Sequence, residues 1–413
     1  MIATGGIDGA AKLRTAPTLT FTIELRDTAG ALLEVMAKDV VDLTWSHVTQ
    51  GGNEQATISL RREFDNYGDI NLDYDVRIFV HNLDDQTIDL RWRGFVREIM
   101  PVFNERESVR LACAGYVRQL DYIAVPAVTY QSQDVAAIAR SVMDTYVVPG
   151  SNIARTPALN LVLDQGVVVS ATGLTFDTSA REVMDTLASI GGNVEWGVRS
   201  DFTVPFSNEI YFQARSTTVN QVWILGDRVK VFESRMSTDS VIRRVFVRGA
   251  GTFTATVTSS LGNPASGYKE RVMLLPFIAD ATDATLWATA FFARHEQAQR
   301  AARLIIAATD AEIEAFTPSG LLRIQGGAVR RLYGGSLTGF GAGGFGAGGF
   351  GGSGGTYSAI GGNTRVELRI NRVSYKFAGA ALEATVELGE TRTTLEDVLK
   401  PIEFKLSQLR QGR

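Results

Sequence analysis

The chain has 413 residues, of which 45% are hydrophobic and 21% are charged, a composition that is ordinary for a globular protein and excludes a largely disordered one. Its length predicts about two to four domains. With 41 basic and 45 acidic residues, the net charge of −4 gives no cationic excess that would favour nucleic acid as the main partner. The single cysteine, Cys113, excludes an intrachain disulfide and a cysteine-built zinc site within one chain.

No segment of the sequence predicts targeting or membrane insertion. The first residues lack the apolar stretch of about 7–15 residues that marks a signal peptide, and no run approaches the ~20 apolar residues of a membrane span. We therefore expect synthesis in a cytoplasm.

Residues 1–125 predict many short strands, which is typical of a small barrel or sandwich. The stretch "LTFTIELRD" alternates, stops at a turn relaxed by Gly30, and resumes in "ALLEVMAKDVVDLTW". Further along, apolar residues alternate in four groups: Ala56, Ile58 and Leu60; Val76, Ile78 and Val80; Ile88, Leu90 and Trp92; Val109, Leu111 and Cys113. We predict a first β-barrel-like domain here.

Residues 126–214 change to a helical period and predict a small α/β domain. A first helix begins near Ser132 as its N-cap, and a second has the capping-box spacing of Ser179 and Glu182. Gly191 and Gly192 end the second helix. Two strands follow in "NVEWGVRSD" and "NEIYFQAR".

Residues 215–393 return to strands and predict a second β-barrel-like domain with a helix at about 281–303. Its strands lie in "VWILGDRVKVFESRMS", "VIRRVFVRGAGTFTATV", "NTRVELRINRVSYKF" and "ALEATVELGE". The predicted fold class is therefore α+β, with two β-barrel-like domains, an inserted small α/β domain and a C-terminal helix.

The C-terminal helix spans 394–413 and has one apolar side, formed by Leu395, Val398, Ile402, Leu406 and Leu409. This stripe needs a cover, which is either the rest of its own domain or a neighbouring subunit. Leu395, Ile402 and Leu406 are therefore candidate partner contacts.

A glycine-rich loop, "GGSLTGFGAGGFGAGGFGGSGG", occupies 334–355 and matches two motifs by composition alone. Gly339, Gly341 and Gly344 fit the dinucleotide turn, but that turn must open a helix, and a strand follows here. Gly351, Ser353 and Gly355 fit a hydrolase elbow, but all three histidines precede it, whereas that family places its histidine later. We expect neither a nucleotide site nor a serine nucleophile.

The same loop repeats a phenylalanine every five residues, at Phe340, Phe345 and Phe350, which a mere spacer does not need. Three interpretations remain open. The loop is a flexible or self-packing hairpin tip; or it docks on a neighbouring subunit, closes a channel or grips a fibre; or it contacts a host envelope. The three phenylalanines are candidate partner contacts under the last two.

Three stretches, taken in order, resemble a known family. They are "LRWRGFVREIMPVFNERESVRLACAGYVRQLDYIAV", "SQDVAAIARSVMDTYV" and "TSAREVMDTLASIGGNVEWGVRSD". The pattern includes a Trp-x-Gly strand pair, a Gly-Tyr-x-x-x-Leu segment, two helices and a strand with Trp196, and it covers about 90–235. It is similar to the phage tail hub family, which includes baseplate hubs of contractile phages, the N-terminal hub part of siphophage tail-tip proteins and spike hubs of contractile injection systems.

The resemblance implies a structural virion protein at the phage tail tip. Family members are homotrimers whose first and third segments are similar barrels, so that three chains offer six positions to a sixfold tail tube and a threefold face to a spike or central fibre. The implied partners are the tail tube or a distal tail protein above, the spike or central fibre below, and the tape-measure protein in the channel. DNA passes without sequence-specific binding. Relatives often continue into fibre or peptidase regions, so a separate spike or fibre protein is expected; the glycine loop is not a family hallmark.

Rival hypotheses are a tail-associated cell-wall hydrolase and a glycan-binding tail protein. Asp84 and Asp85 are the most visible carboxylate pair, but they lie in a polar turn, and neither a H-E-x-x-H nor a P-loop motif occurs. We expect His295 to be a partly exposed surface residue. Five tryptophans offer no obvious cluster: Trp45, Trp92, Trp196, Trp223 and Trp287. We expect no catalytic, cofactor or metal site.

Overall fold

The fold is known from a computed structural model, which describes most of the chain. The described residues are 19–61, 70–84, 86–102, 108–154, 166–192, 194–200, 208–215, 219–224, 229–237, 241–261, 269–295, 299–307, 321–325, 365–378 and 381–389. No helix among them combines the length and hydropathy needed to cross a membrane. The Gly/Phe-rich loop and the C-terminal helix predicted for 334–355 and 394–413 lie outside these residues.

The first part of the chain forms eight strands, as its alternating pattern predicts. They are β1 (Leu19–Arg26), β2 (Leu32–Met36), β3 (Val40–Val48), β4 (Gln50–Arg61), β5 (Asp75–Asn82), β6 (Thr87–Val102), β7 (Ser108–Gly115) and β8 (Ala124–Tyr130). Gly30 has a φ of 87° in the turn between β1 and β2, a conformation that glycine adopts without strain. The side chains of Ala56, Ile58, Leu60, Val76, Ile78, Val80, Val109, Leu111 and Cys113 are buried, which confirms their predicted faces.

Two details of this part differ from prediction. The stretch expected to run as one strand after Gly30 is divided into β2 and β3 by a turn. In β6, Ile88 was expected to share the face of Trp92, yet Trp92 is buried while Ile88 is 62% exposed. The reason is a β-bulge: Ile78 pairs with Trp92 but Phe79 pairs with Leu90, so Arg91 is an extra residue that reverses the phase.

The middle part contains the predicted helices. The first, α1 (Val135–Val142), continues through a π-helical turn (Met143–Val147) into α2 (Val148–Gly150), and α3 spans Ala180–Gly191. Ser132 is not the N-cap, because its φ of 49° is left-handed; instead the carboxylate of Asp134 accepts a hydrogen bond from Ala136 N at 2.8 Å. The second cap is confirmed, since Ser179 Oγ accepts a hydrogen bond from Glu182 N at 3.3 Å.

The remaining strands and one helix complete the described fold. They are β9 (Ile153–Ala154), β10 (Leu174–Ser179), β11 (Val194–Ser200), β12 (Asn208–Ala214), β13 (Val219–Ile224), β14 (Val229–Ser237), β15 (Arg244–Arg248), β16 (Thr254–Thr258), β17 (Glu270–Leu274), α4 (Ala281–His295), β18 (Gln299–Ala307), β19 (Leu321–Gln325), β20 (Arg365–Ala378) and β21 (Ala381–Gly389).

The helix predicted for about 281–303 is shorter in the structure. It ends at His295, and β18 begins at Gln299. Ladders on both sides hold β18 in an extended conformation, because it pairs with β14 and with β21. Ala302, Leu304 and Ile306 are buried in alternation, so pairing in the sheet overrides the local helical preference of this stretch.

One large, mostly antiparallel sheet dominates the molecule. Its main path runs β14-β18-β21-β20-β3-β4-β7-β6-β5-β1-β2, so strands from the two ends of the chain meet where β20 pairs with β3. The fold is thus α+β and rich in strands. The division into two barrels and an inserted α/β domain stays a prediction.

The buried side chains form two cores that cross the predicted domain boundaries. The sheet core unites β1–β7 with β18, β20 and β21. The helix core unites α1, α3, β11 and β12 with β15, β17 and α4 from the third predicted segment. Residues 241–295 therefore pack with the middle part of the chain.

Candidate functional site: the junction between the two cores

Several long-range polar contacts meet where β3 turns into β4. Thr49 reaches the last part of the chain, since its Oγ1 donates to the carbonyl oxygen of Ile370 at 2.8 Å and its N donates to that of Asn371 at 2.9 Å. Gln50 reaches the middle part. Its Nε2 donates to Val194 O at 3.1 Å, and its Oε1 accepts from Trp196 N at 3.3 Å. We call Thr49–Asn53 the junction, because all three predicted segments meet there.

Two glycines allow the junction to approach β11 closely. Gly52 pairs with Val198 in a short parallel ladder, and its φ is 79°. A Cβ at Gly52 would lie 2.2 Å from Val198 O, and one at Gly197 would lie 2.7 Å from Gly52 N. Only glycine fits at such an approach of two backbones, so these positions fix the middle part of the chain against the large sheet.

A buried ion cluster lies beside the junction. The carboxylate of Asp75 accepts hydrogen bonds from Arg93 Nε and Tyr116 Oη on one oxygen and from Arg77 Nε on the other, each at 2.8 Å. All four side chains are buried. Burial and the negative charge of Asp75 raise the pKa of the Tyr116 hydroxyl, which therefore stays protonated and donates.

The motifs that carry the family resemblance form the wall of this cluster. A Cβ at Gly94 would lie 2.2 Å from Ala114 O, and one at Gly115 would lie 1.9 Å from Asn53 O. The Tyr116 ring packs against Phe95 at a centroid distance of 5.7 Å and lies 5.4 Å from the Arg93 guanidinium carbon. The two glycines therefore permit the close packing that brings Tyr116 to Asp75.

A second polar link joins the middle part of the chain to α4. Ser170 Oγ lies 2.5 Å from an oxygen of Asp280 and 2.8 Å from one of Asp283, and Ser170 N donates to Asp283 at 2.9 Å. Burial alone would raise the pKa of Asp280, but the hydrogen bonds that it accepts, chiefly from Ser170, outweigh this effect and lower it. This link holds the start of α4 in place.

The three histidines lie within the packing of the fold. His47 packs edge-on against Tyr375, and desolvation lowers its pKa to about 4, so it is neutral at pH 7. His81 shares a 2.8 Å hydrogen bond with Thr22. His295 was predicted to be partly exposed, and this is wrong: it is 5% exposed and stacks on Phe291 at a centroid distance of 4.2 Å. The end of α4 is covered there, because α4 packs against β16 and Ile242 N donates to His295 O at 2.8 Å.

The other sequence candidates are not brought together as a site. Trp45, Trp92 and Trp196 are fully buried, and the side chain of Trp223 is outside the described residues. Asp84 lies in the turn after β5, while Asp85 is outside the described residues. Burial raises the pKa of the Cys113 thiol to about 12, which makes it unreactive at pH 7.

The predicted partner contacts remain predictions. Phe340, Phe345 and Phe350, with Leu395, Ile402 and Leu406, all lie outside the described residues. Within the described part of the chain, no group of three or more His, Cys, Asp or Glu side chains is placed to hold a metal ion.

Sequence reasoning missed the junction and the ion cluster. The signals are visible in retrospect: "TQGGN" interrupts two alternating strands, and charges stand between apolar residues in "DVRIFV" and "LRWRGF". Alternation assigns such charges to the solvent face, but in the structure Asp75, Arg77 and Arg93 are buried, and Tyr116 bonds to Asp75.

Comparisons with known proteins find the likeness in structure alone. No family model matches the sequence, and no curated protein matches it either. A 43 kDa tail protein of prophage MuSo2 from Shewanella oneidensis superposes with a TM-score of 0.52 and 12% identity, over 90% of this chain and 97% of that one. The chain has the fold of phage tail proteins.

A second tail structure agrees. The tail protein from Neisseria meningitidis MC58 superposes with a TM-score of 0.53 and 7% identity, again over 90% of this chain and 97% of that one. The resemblance to the phage tail hub family is thereby confirmed as a likeness of fold. Both tail proteins align over nearly their whole length, so the likeness of fold extends over most of this chain.

Proposed function

We propose that the protein is a structural component of a phage tail, a trimeric hub at the tail tip or baseplate. The observation that carries the proposal is the likeness of fold to tail proteins over 90% of the chain, at 97% coverage of theirs. Because a fold hosts many functions, the interior of the molecule matters as well. The charged groups of the ion cluster beside the junction are held in structural hydrogen bonds, which suits a scaffold protein.

The arrangement of the sheet supports a geometric role. Strands before residue 116 and after residue 298 share one core, so the first and the last described strands belong to one continuous sheet. If each end supplies one barrel-like unit, three chains offer six similar positions to a sixfold tail tube. The same three chains keep a threefold face for a spike or central fibre.

The proposed partners follow from that position. The tail tube or a distal tail protein binds above, the spike or central fibre binds below, and the tape-measure protein occupies the channel. DNA passes later without sequence-specific binding, and a net charge of −4 suits a lumen that must not retain it. The assembled protein works in the virion after synthesis in the host cytoplasm.

The glycine-rich loop and the C-terminal stripe are proposed contacts within this assembly. Phe340, Phe345 and Phe350 would pack on a neighbouring subunit, the fibre or the host envelope, and Leu395, Ile402 and Leu406 would pack on a neighbouring subunit. Deletion of residues 339–352 tests the contacts proposed for the three phenylalanines. Normal trimers, normal tail assembly and normal infectivity after deletion would rule it out.

A hub of this kind is not an enzyme, and a direct test distinguishes it from a tail-associated cell-wall hydrolase. A zymogram with purified peptidoglycan should show no clearing by the intact protein. Clearing that survives purification to homogeneity would replace the hub with a tail-associated hydrolase.

A further inference from the structure

A small sheet at the surface of the helix core presents an ordered outer face. The sheet has the order β16-β15-β17, with β15 antiparallel to β16 and parallel to β17. Its inner side buries Val245, Val247 and Met273. The outer face has three rows across the strands, given in the order β16, β15, β17: Thr258, Arg244, Glu270; Thr256, Phe246, Val272; Thr254, Arg248, Leu274.

The two edges of this sheet differ in character. The β16 edge shows three exposed threonines on its outer face, the polar covering that usually protects an edge strand. The β17 edge instead shows Val272, which is 52% exposed, and Leu274, which is 46% exposed. Among the described strands, β17 pairs only with β15, so its other side offers backbone N–H and C=O groups for a further strand.

The charges around the β17 edge are mainly positive. The described residues from 241 to 275 include five basic side chains, Arg243, Arg244, Arg248, Lys269 and Arg271, and one acidic side chain, Glu270. Arg244 is paired with Glu270 at 2.7 Å. Arg248 is exposed, Arg271 is half-buried, and the described residues place no carboxylate within ion-pair distance of either guanidinium. Burial without such a partner lowers the pKa of Arg271.

An open edge, exposed apolar side chains and unbalanced cations together define the chemistry of an occupant. The backbone groups need an extended segment, Val272 and Leu274 need apolar side chains at alternate positions, and the arginines need carboxylates. A nucleic acid would supply the anions but would leave the backbone edge unpaired. A second copy of the chain has the same excess of positive charge at this edge, so pairing of β17 with its own equivalent is unfavourable.

We propose that the β17 edge is a docking site for an acidic, extended segment of a different protein, which adds a strand beside β17. The alternate apolar side chains of that segment pack on Val272 and Leu274 on the outer face. The carboxylates between them face the other side of the sheet, where they pair with Arg271. This site is separate from the junction and from the segments assigned above to contacts between subunits. It gives the protein a way to recruit a partner by a peptide segment of defined chemistry.

The test measures binding of a labelled peptide to the full-length protein by fluorescence anisotropy. The probe is a ten-residue peptide of alternating glutamate and valine, and the control probe alternates lysine and valine. We expect the acidic probe to bind at low salt with a dissociation constant on the order of 100 µM or below, and the basic probe to bind at least about tenfold more weakly. Raising the salt concentration should weaken binding of the acidic probe.

Two variants assign binding to the edge. Arg271→Gln should weaken binding of the acidic probe at least about fivefold. Leu274→Ser removes an apolar contact without adding a charge, so it should also weaken binding of the probe, and it should leave the thermal melt unchanged because Leu274 is exposed. The matched control is Arg97→Gln, an exposed arginine on β6, which should bind as the unchanged protein does.

Several results would overturn the proposal. They are no binding of the acidic probe, equal binding of both probes, or equal loss of binding on Arg97→Gln and on Arg271→Gln. Formation of oligomers that Leu274→Ser abolishes would assign the edge to a second copy instead. None of these results bears on the trimeric hub, which is judged by a different measurement.

Discussion

The ion cluster at Asp75 gives the sharpest prediction for a single residue. Asp75→Asn keeps the size of the side chain but removes the carboxylate charge that bonds to both Arg77 Nε and Arg93 Nε, at 2.8 Å each. The two guanidiniums then remain buried without the charge of Asp75. Breaking a buried ion pair on one side costs about 3–5 kcal/mol, chiefly because the partner charge stays buried.

The matched control is an ion pair of similar length at the surface. Arg244 and Glu270 are 2.7 Å apart, and their side chains are 28% and 39% exposed. Glu270→Gln should therefore lower the free energy of unfolding by no more than about 1 kcal/mol. The contrast between the two variants compares a buried carboxylate that bonds to two arginines with a surface carboxylate that bonds to one.

Urea denaturation followed by tryptophan fluorescence measures both variants. With a slope of about 3 kcal/mol per molar urea, a loss of about 3 kcal/mol lowers the midpoint by about 1 M for Asp75→Asn, while the control should move it by about 0.3 M or less. Equal midpoints for the two variants would refute the reasoning, because the cluster would then be no more important than a surface pair.

Three further predictions concern the junction, the packing around His47 and the loop. Gly52→Ala should destabilise the protein by at least about 2 kcal/mol, whereas Gly251→Ala, at a φ of 59° with open space around it, should cost only about 1 kcal/mol; calorimetry that ranks them equally would contradict this. The pKa of His47 in the folded protein, about 4, is below its unfolded value of about 6.5. Its contribution to the free energy of unfolding is therefore complete above pH 6.5 and declines toward pH 4. Relative to His47→Asn, the unchanged protein should lose about 2 kcal/mol of its free energy of unfolding between pH 7 and pH 5. An equal loss in the two proteins would contradict the lowered pKa of His47. Deletion of residues 339–352 should leave the melting temperature unchanged but reduce assembly of tails, as shown by electron microscopy of infected-cell lysates.

Local signals in the sequence predicted much of the secondary structure. Alternation placed the buried faces of β4, β5 and β7, and the spacing of Ser179 and Glu182 placed the start of α3, because these features depend on neighbours within a few residues. The end of α4 could not be placed in this way. Residues 299–303 have a helical pattern, and only the strands on either side of β18 make them extended.

The junction depends on contacts that no local pattern encodes. Thr49 and Asn371 are 322 positions apart and bond directly, and Gln50 reaches Val194 across 144 positions. The same is true of Asp75, which is buried and bonds to Tyr116, 41 positions away. Charged residues within an alternating strand are ordinarily assigned to solvent, so the cluster becomes visible only when the tertiary packing is known.

The central claim, a trimeric tail hub, is tested most directly by the mass of the purified full-length protein. Light scattering should give three times the chain mass of 44.8 kDa, and negative-stain images of that species should show a ring with a central hole. A mass of one chain at tens of micromolar protein, with no ring in the images, would contradict the account.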